Sequence, residues 1–130
     1  MKKLLILLFS LLISFNSYGE WTLISKTSEG QWKGAAFYLD IDSIKKKNGN
    51  IYFWVLSDYP FANEFGYLSY RMFSEGDCSL MREKKLQRLF YFKQMGKGDY
   101  VLDKEKSEWQ YLPPNSVGHH LMQTACDASR

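Results

Sequence analysis

Two cysteines and two histidines, Cys78, Cys126, His119 and His120, are the whole supply of thiols and imidazoles in this chain. In an oxidising space an even pair of cysteines points to a disulfide. Closing a segment of about 49 residues would remove roughly 4 kcal/mol of unfolded-chain entropy. The competing uses are a two-thiolate metal site and a catalytic thiol. A metal needs further ligands, and adjacent residues on a helix point about 100° apart, so His119 and His120 do not both turn easily to Cys126. One exposed and one half-buried helical histidine is a simpler reading than a base beside a nucleophile. No catalytic residue, metal ligand or cofactor is assigned.

Asp40 and Asp42 stand two apart, which on a strand would put both on one side and offer an acid pair or a hard-metal site. A helical turn within DIDSIKKK, Asp40 to Lys47, with Asp42 as its cap and a wet basic exit, accounts for them more simply. Gly96, Lys97 and Gly98 lack the glycine spacing and the following Ser or Thr of a phosphate loop, and read as a turn.

The basic residues Arg82, Lys84, Lys85, Arg88 and Lys93 interleave with Phe90, Tyr91 and Phe92. Such a mixture could stack and neutralise single-stranded nucleic acid, form a protein or acidic-glycan contact, or be the solvated face of a sheet. The five basic residues are the candidate partner-binding set. Trp32, Tyr59, Phe61 and Phe65 fall in loop-like contexts, where aromatics either anchor a partner or fold back onto a small core.

Charge and targeting narrow these readings. Lys2 and Lys3 precede the apolar run Leu4 to Phe15, and Ser17 and Gly19 sit at small-residue positions after it, a signal-peptide pattern over residues 1–19. The run is about 12 residues against the roughly 20 of a spanning helix. No cysteine near the cut could take a lipid. The expectation is export to the periplasm or release, ahead of cell-surface display, with no retained membrane segment. The chain has 17 Lys and Arg against 14 Asp and Glu. Removing Lys2 and Lys3 from the 17 leaves 15 against 14, so nothing broad attracts nucleic acid. With 45% hydrophobic and 17% aromatic residues, residues 20–130 can build one packed domain.

That domain reads as α+β, an antiparallel sheet packed by a C-terminal helix. Trp21 to Lys26 and Ala36 to Leu39 are β-prone, and Asn48-Gly49 is a tight turn before a central strand at Ile51 to Ser57. Tyr67 to Phe73 resumes a strand that Ser74 to Asp77 would interrupt as a turn or bulge. Cys78 to Lys93 is the longest candidate. There Leu80, Leu86, Phe90 and Phe92 share one parity, and Glu83, Lys85, Gln87 and Lys93 the other, as a sheet with one wet face requires. Asp99 to Leu102 returns briefly to the sheet. Pro113 and Pro114 hold an extended approach, Asn115 or Ser116 caps, and Val117, Leu121, Met122 and Ala125 recur at helical spacing up to Cys126.

Several of these segments resemble the bacterial surface-adhesin protein E family. They are Trp21 to Ser25, FYLDIDSIKK from Phe37, WVLSDY from Trp54, Asp77 with Cys78, the turn at Gly96 to Gly98, and SEWQYLPPNSVG from Ser107 to Gly118 followed by Cys126. The resemblance implies a small α+β fold with a disulfide. It also implies a non-enzymatic, adhesin-like protein-binding domain whose partners are host extracellular matrix or serum proteins such as vitronectin and laminin. A homodimer would cover the edges that a short sheet leaves. The alternative is a periplasmic structural or ligand-binding subunit or a small hydrolase, which would need a pocket around His119, His120, Asp40 or Asp42.

Overall fold

Ile51, Phe53 and Val55 alternate with Tyr52 and Trp54 along one extended segment, and the alternation fixes its place. The odd residues are buried beneath a helix and the even ones are half-buried on the opposite face. The computed structural model describes residues 20–130, and the expected signal segment 1–19 lies outside the described residues. The strands are β1 Thr22–Lys26, β2 Ala36–Leu39, β3 Lys45–Lys47, β4 Asn50–Asp58, β5 Ser69–Asp77, β6 Arg82–Tyr91, β7 Tyr100–Asp103 and β8 Gln110–Tyr111. Helix α1, Val117–Ala128, follows them.

All pairings are antiparallel, in the order β1-β2-β4-β5-β6-β7, with β3 on the start of β4 and β8 on the start of β6. The expected α+β class therefore stands. Helix α1 starts where Ser116 Oγ accepts from the His119 N–H at 3.1 Å, a cap that satisfies one of the helix's free first-turn donors. Its Leu121, Met122, Ala125 and Cys126 pack on Leu39, Ile51, Phe53 and Val55, and each large side chain so buried contributes about 1.5–3 kcal/mol. Met122 lies so close to β5 that a Cβ at Gly76 would come within 2.5 Å of its terminal methyl carbon.

Four expectations need correction. Between Asp40 and Lys47 only Ile41–Ser43 forms a 3₁₀ turn, and Asp42 does not cap it. The cap position is Asp40, whose side chain makes no capping bond, while Ser43 Oγ donates to the Asp40 carbonyl at 3.0 Å. Lys45–Lys47 stays in water as expected but forms a strand rather than the exit of a turn, because Asn48 and Gly49, at φ 53° and 81°, form the two-residue turn that pairs Lys47 with Asn50. β5 runs uninterrupted through Ser74 to Asp77. The irregularity lies across from it in β6, where Phe73 pairs Gln87 and Ser74 pairs Lys85, leaving Leu86 as an extra residue.

That bulge overturns the single parity expected along Cys78 to Lys93, since one inserted residue exchanges the faces. Glu83 and Lys85 lie on the helix side, and so do Arg88 and Phe90 beyond the bulge. Arg82, Lys84, Gln87 and Leu89 lie on the helix-free side.

Candidate interaction surface

The two long loops at one end of the sheet, residues 59–68 between β4 and β5 and 27–35 between β1 and β2, are tied down by backbone hydrogen bonds. Tyr59 N donates to Leu68 O at 3.0 Å, Asn63 N to Tyr67 O at 3.0 Å, and Leu68 N to Tyr91 O at 2.9 Å. In the other loop Thr27 N reaches Ala35 O and Gly34 N reaches Thr27 O, both at 2.8 Å. Asn63 supplies the centre of the first loop. Its Oδ1 accepts from the N–H groups of Phe65 and Tyr67 at 3.0 Å each, and its Nδ2 donates to the Tyr70 hydroxyl at 2.8 Å.

This frame carries a chain of touching rings. Trp32 meets Tyr59 edge-on at 5.6 Å between centroids, Tyr59 meets Tyr70 at 5.4 Å, Tyr70 meets Phe90 at 5.3 Å, and Phe90 stacks on Tyr67 at 5.2 Å. Phe65 and Phe92 extend the chain from Tyr67 at 6.0 and 5.2 Å. Burial pushes the phenols of Tyr59 and Tyr70 above their ordinary pKa, because removal from water disfavours phenolate. The outer rings stay in water: Trp32 is 55% exposed, Phe61 75%, Phe65 65% and Phe92 42%. Trp32, Tyr59, Pro60 and Phe61 wall a cavity of about 340 Å³ that opens at this end. Three of the four loop aromatics singled out in the sequence are thus displayed, and Tyr59 underlies them.

The structure distributes the basic set rather than gathering it. Arg82 Nε bonds Asp77 Oδ2 at 3.0 Å, Lys85 Nζ bonds Glu83 Oε1 at 2.9 Å, and Arg88 Nη1 lies 3.5 Å from Asp103 Oδ2. Lys93 is exposed beyond the end of β6, its carbonyl accepting from Ser69 Oγ at 2.6 Å. On the helix-free face Trp109 takes both Arg82 and Lys84 over its ring, at 4.5 and 4.8 Å. Sequence reasoning missed Trp109 as a site residue; its signal was a lone indole in the polar run between Lys104 and Gln110.

Asp77 is the most engaged acid. Its carboxyl is held below the usual range by the Ser79 hydroxyl first, against the opposing pull of burial, and further by Arg82 and the Leu80 N–H. Next to it Cys78 and Cys126 form the expected disulfide, with Cα atoms 5.9 Å apart. His119 is half-buried and His120 exposed, both lining a shallow depression at the start of α1 with Ser25 and Gln123. Neither Asp40 nor Asp42 lines it, so the groups required by a hydrolase are not brought together. Among the described residues no cluster of three or more His, Cys, Asp or Glu could hold a metal. None of the described helices is long and apolar enough to cross a membrane.

The family model for surface-adhesin protein E matches residues 21–127. Among solved structures, Haemophilus influenzae protein E superposes with a TM-score of 0.59 at 16% identity, covering 86% of this chain and 87% of that one. A second crystal form of Haemophilus influenzae protein E gives 0.57 at 19% identity over 70% and 80% of the two chains. At these identities the superpositions establish the fold. No curated protein sequence matches.

Proposed function

The chain belongs to the surface-adhesin protein E family, and from that premise we propose that it is an exported, non-enzymatic domain that grips another protein through its aromatic loop end. Residues 1–19 serve as the export signal in this reading, and host matrix or serum proteins are its partners. The observation that carries it is the display of Phe61 and Phe65 on a loop closed by Asn63, with Trp32 beside them on the hydrogen-bonded loop 27–35. Large rings held rigid lose little freedom on binding, and such residues dominate the energetics of protein interfaces. Monomeric domains seldom leave contiguous apolar patches in water without a use.

The basic residues take a secondary part. Arg82, Lys85 and Arg88 each have an acidic partner, so their charge is largely spent within the fold. Lys84 on Trp109 and the exposed Lys93 are the ones that steer an acidic partner by a salt-sensitive field.

Self-association belongs to the same proposal, with β7 as its seam. The β3 and β1 edges carry protection, the three lysines of β3 and a bulge between Leu23 and Ser25 in β1, and β8 is only two residues long. β7 instead leaves Tyr100, Val101 and Leu102 exposed on a terminal strand. Binding of the purified protein to immobilised vitronectin and laminin, with Trp32, Phe61 and Phe65 intact or truncated, tests the central reading.

A further inference from the structure

Under the first turns of α1 the helix side of the sheet carries a half-open cavity of about 250 Å³, lined by Phe37, Phe53, Met72 and Leu121 and by the charged pair Glu83 and Lys85. A dry cavity of about 150 Å³ takes up a benzene ring, so this one has room for a single ring or a short alkyl chain with a head group. Its polar end is unusual for a structural void. The Glu83 side chain is only 10% exposed, and its single ion-pair contact is Lys85 Nζ on Oε1 at 2.9 Å. Ser74, whose register neighbours Phe53 and Lys85 both line the cavity, keeps a buried hydroxyl without a hydrogen-bond partner.

The burial of the two charges decides which head group fits. Lys85 is the more exposed, at 24% of its side chain against 10% for Glu83, and its flexible stem can carry the ammonium into water. A guest ammonium that takes its place leaves no buried charge alone. A guest carboxylate would instead have to draw Lys85 away and strand Glu83 in the interior without a partner. Aromatic walls beside a carboxylate also favour a cation through the ring quadrupole.

We propose that this cavity binds a small organic ammonium compound, an alkyl- or arylamine of one ring or a short chain, whose ammonium replaces that of Lys85 on Glu83 while its apolar body lies between Phe37, Phe53 and Met72. The site adjoins the aromatic loop end through Phe37, whose ring meets that of Tyr59 at 6.2 Å, but it does not depend on the adhesin reading.

The probes are phenethylamine, 3-phenylpropanoate and 2-phenylethanol, titrated into the purified protein at neutral pH and followed by the methyl resonance of Met72 and the amide resonances of Gly118 and Leu121. Phenethylamine should shift them saturably, at least about tenfold more tightly than either of the others. Glu83→Gln should weaken the amine by about tenfold or more. Lys85→Met leaves Glu83 unpaired, so its melting temperature should fall and phenethylamine should restore it saturably. Equal response to the carboxylate or the alcohol, absence of a saturable shift in the unaltered protein, or failure of the amine to rescue Lys85→Met would each overturn the proposal. Selectivity in the unaltered protein decides the matter even where a variant does not fold.

Discussion

Asn63 Nδ2 donates to the Tyr70 hydroxyl across 2.8 Å, joining the loop that displays Phe61 and Phe65 to the strand that anchors the buried rings. Truncation by Asn63→Ala removes this bond and the two that hold the N–H groups of Phe65 and Tyr67. We expect a stability loss of about 1–3 kcal/mol and much faster amide exchange over residues 63–68. Exchange unchanged from the parent protein would show that the ring contacts alone hold the loop.

The disulfide between Cys78 and Cys126 spans a sequence separation of 48 and fastens the last turns of α1 to the end of β5. Opening it should cost about 4 kcal/mol and lower the melting temperature by about 10 °C or more. Thermal melts with and without reductant, and of Cys126→Ser, measure this. A shift of only a few degrees would mean that helix packing alone fixes the chain end.

Asp77 gives the fold an acid-sensitive contribution with a definite sign. Its folded pKa is depressed by the Ser79 hydroxyl and then by Arg82 and the Leu80 N–H, with burial opposing them. The stabilisation is therefore complete above the unfolded value near pH ~4 and is lost as pH falls through the lower folded value. Asp77→Asn should be less stable than the parent at neutral pH, and the gap should narrow below about pH 4. Denaturant midpoints across that range check it; a constant gap would refute the assignment.

Val101 lies on β7, a four-residue edge strand without lysine or bulge protection. Light scattering should show concentration-dependent association of the parent protein and a monomer for Val101→Lys. Association that persists in the variant would move the seam elsewhere.

What could be read from the sequence follows the range of the interactions involved. Asn48-Gly49 and the Ser116 cap are local, set by a positive φ and by one side chain reaching three residues on, so their residue types announce them. Central burial of Ile51, Phe53 and Val55 shows in their alternation. The extra residue Leu86 is defined only by the pairing of β6 with β5, and nothing in its own neighbourhood marks it. An unbroken two-residue period separates Lys85 and Arg88 onto opposite faces, whereas the bulge brings both to the helix side, where each has an acid partner along or across the sheet. β3 was hidden because its three lysines carry no apolar signal and its strand exists through the partner that the turn delivers. Trp109 was missed for the same reason: Arg82 and Lys84 reach it from 27 and 25 positions away, across the pairing of β8 with β6.

The most direct test of the aromatic contact surface is surface plasmon resonance of the purified protein and of its Trp32→Ala, Phe61→Ala, Phe65→Ala triple variant on immobilised vitronectin and laminin, across a salt series. The account predicts saturable binding by the parent on at least one of the two. The triple variant should lose about tenfold or more in affinity with its melting temperature nearly unchanged, since these rings are exposed, and reversal of Lys84 and Lys93 should alter mainly the salt dependence. Equal binding by parent and triple variant, or binding abolished by charge reversal alone, would contradict it.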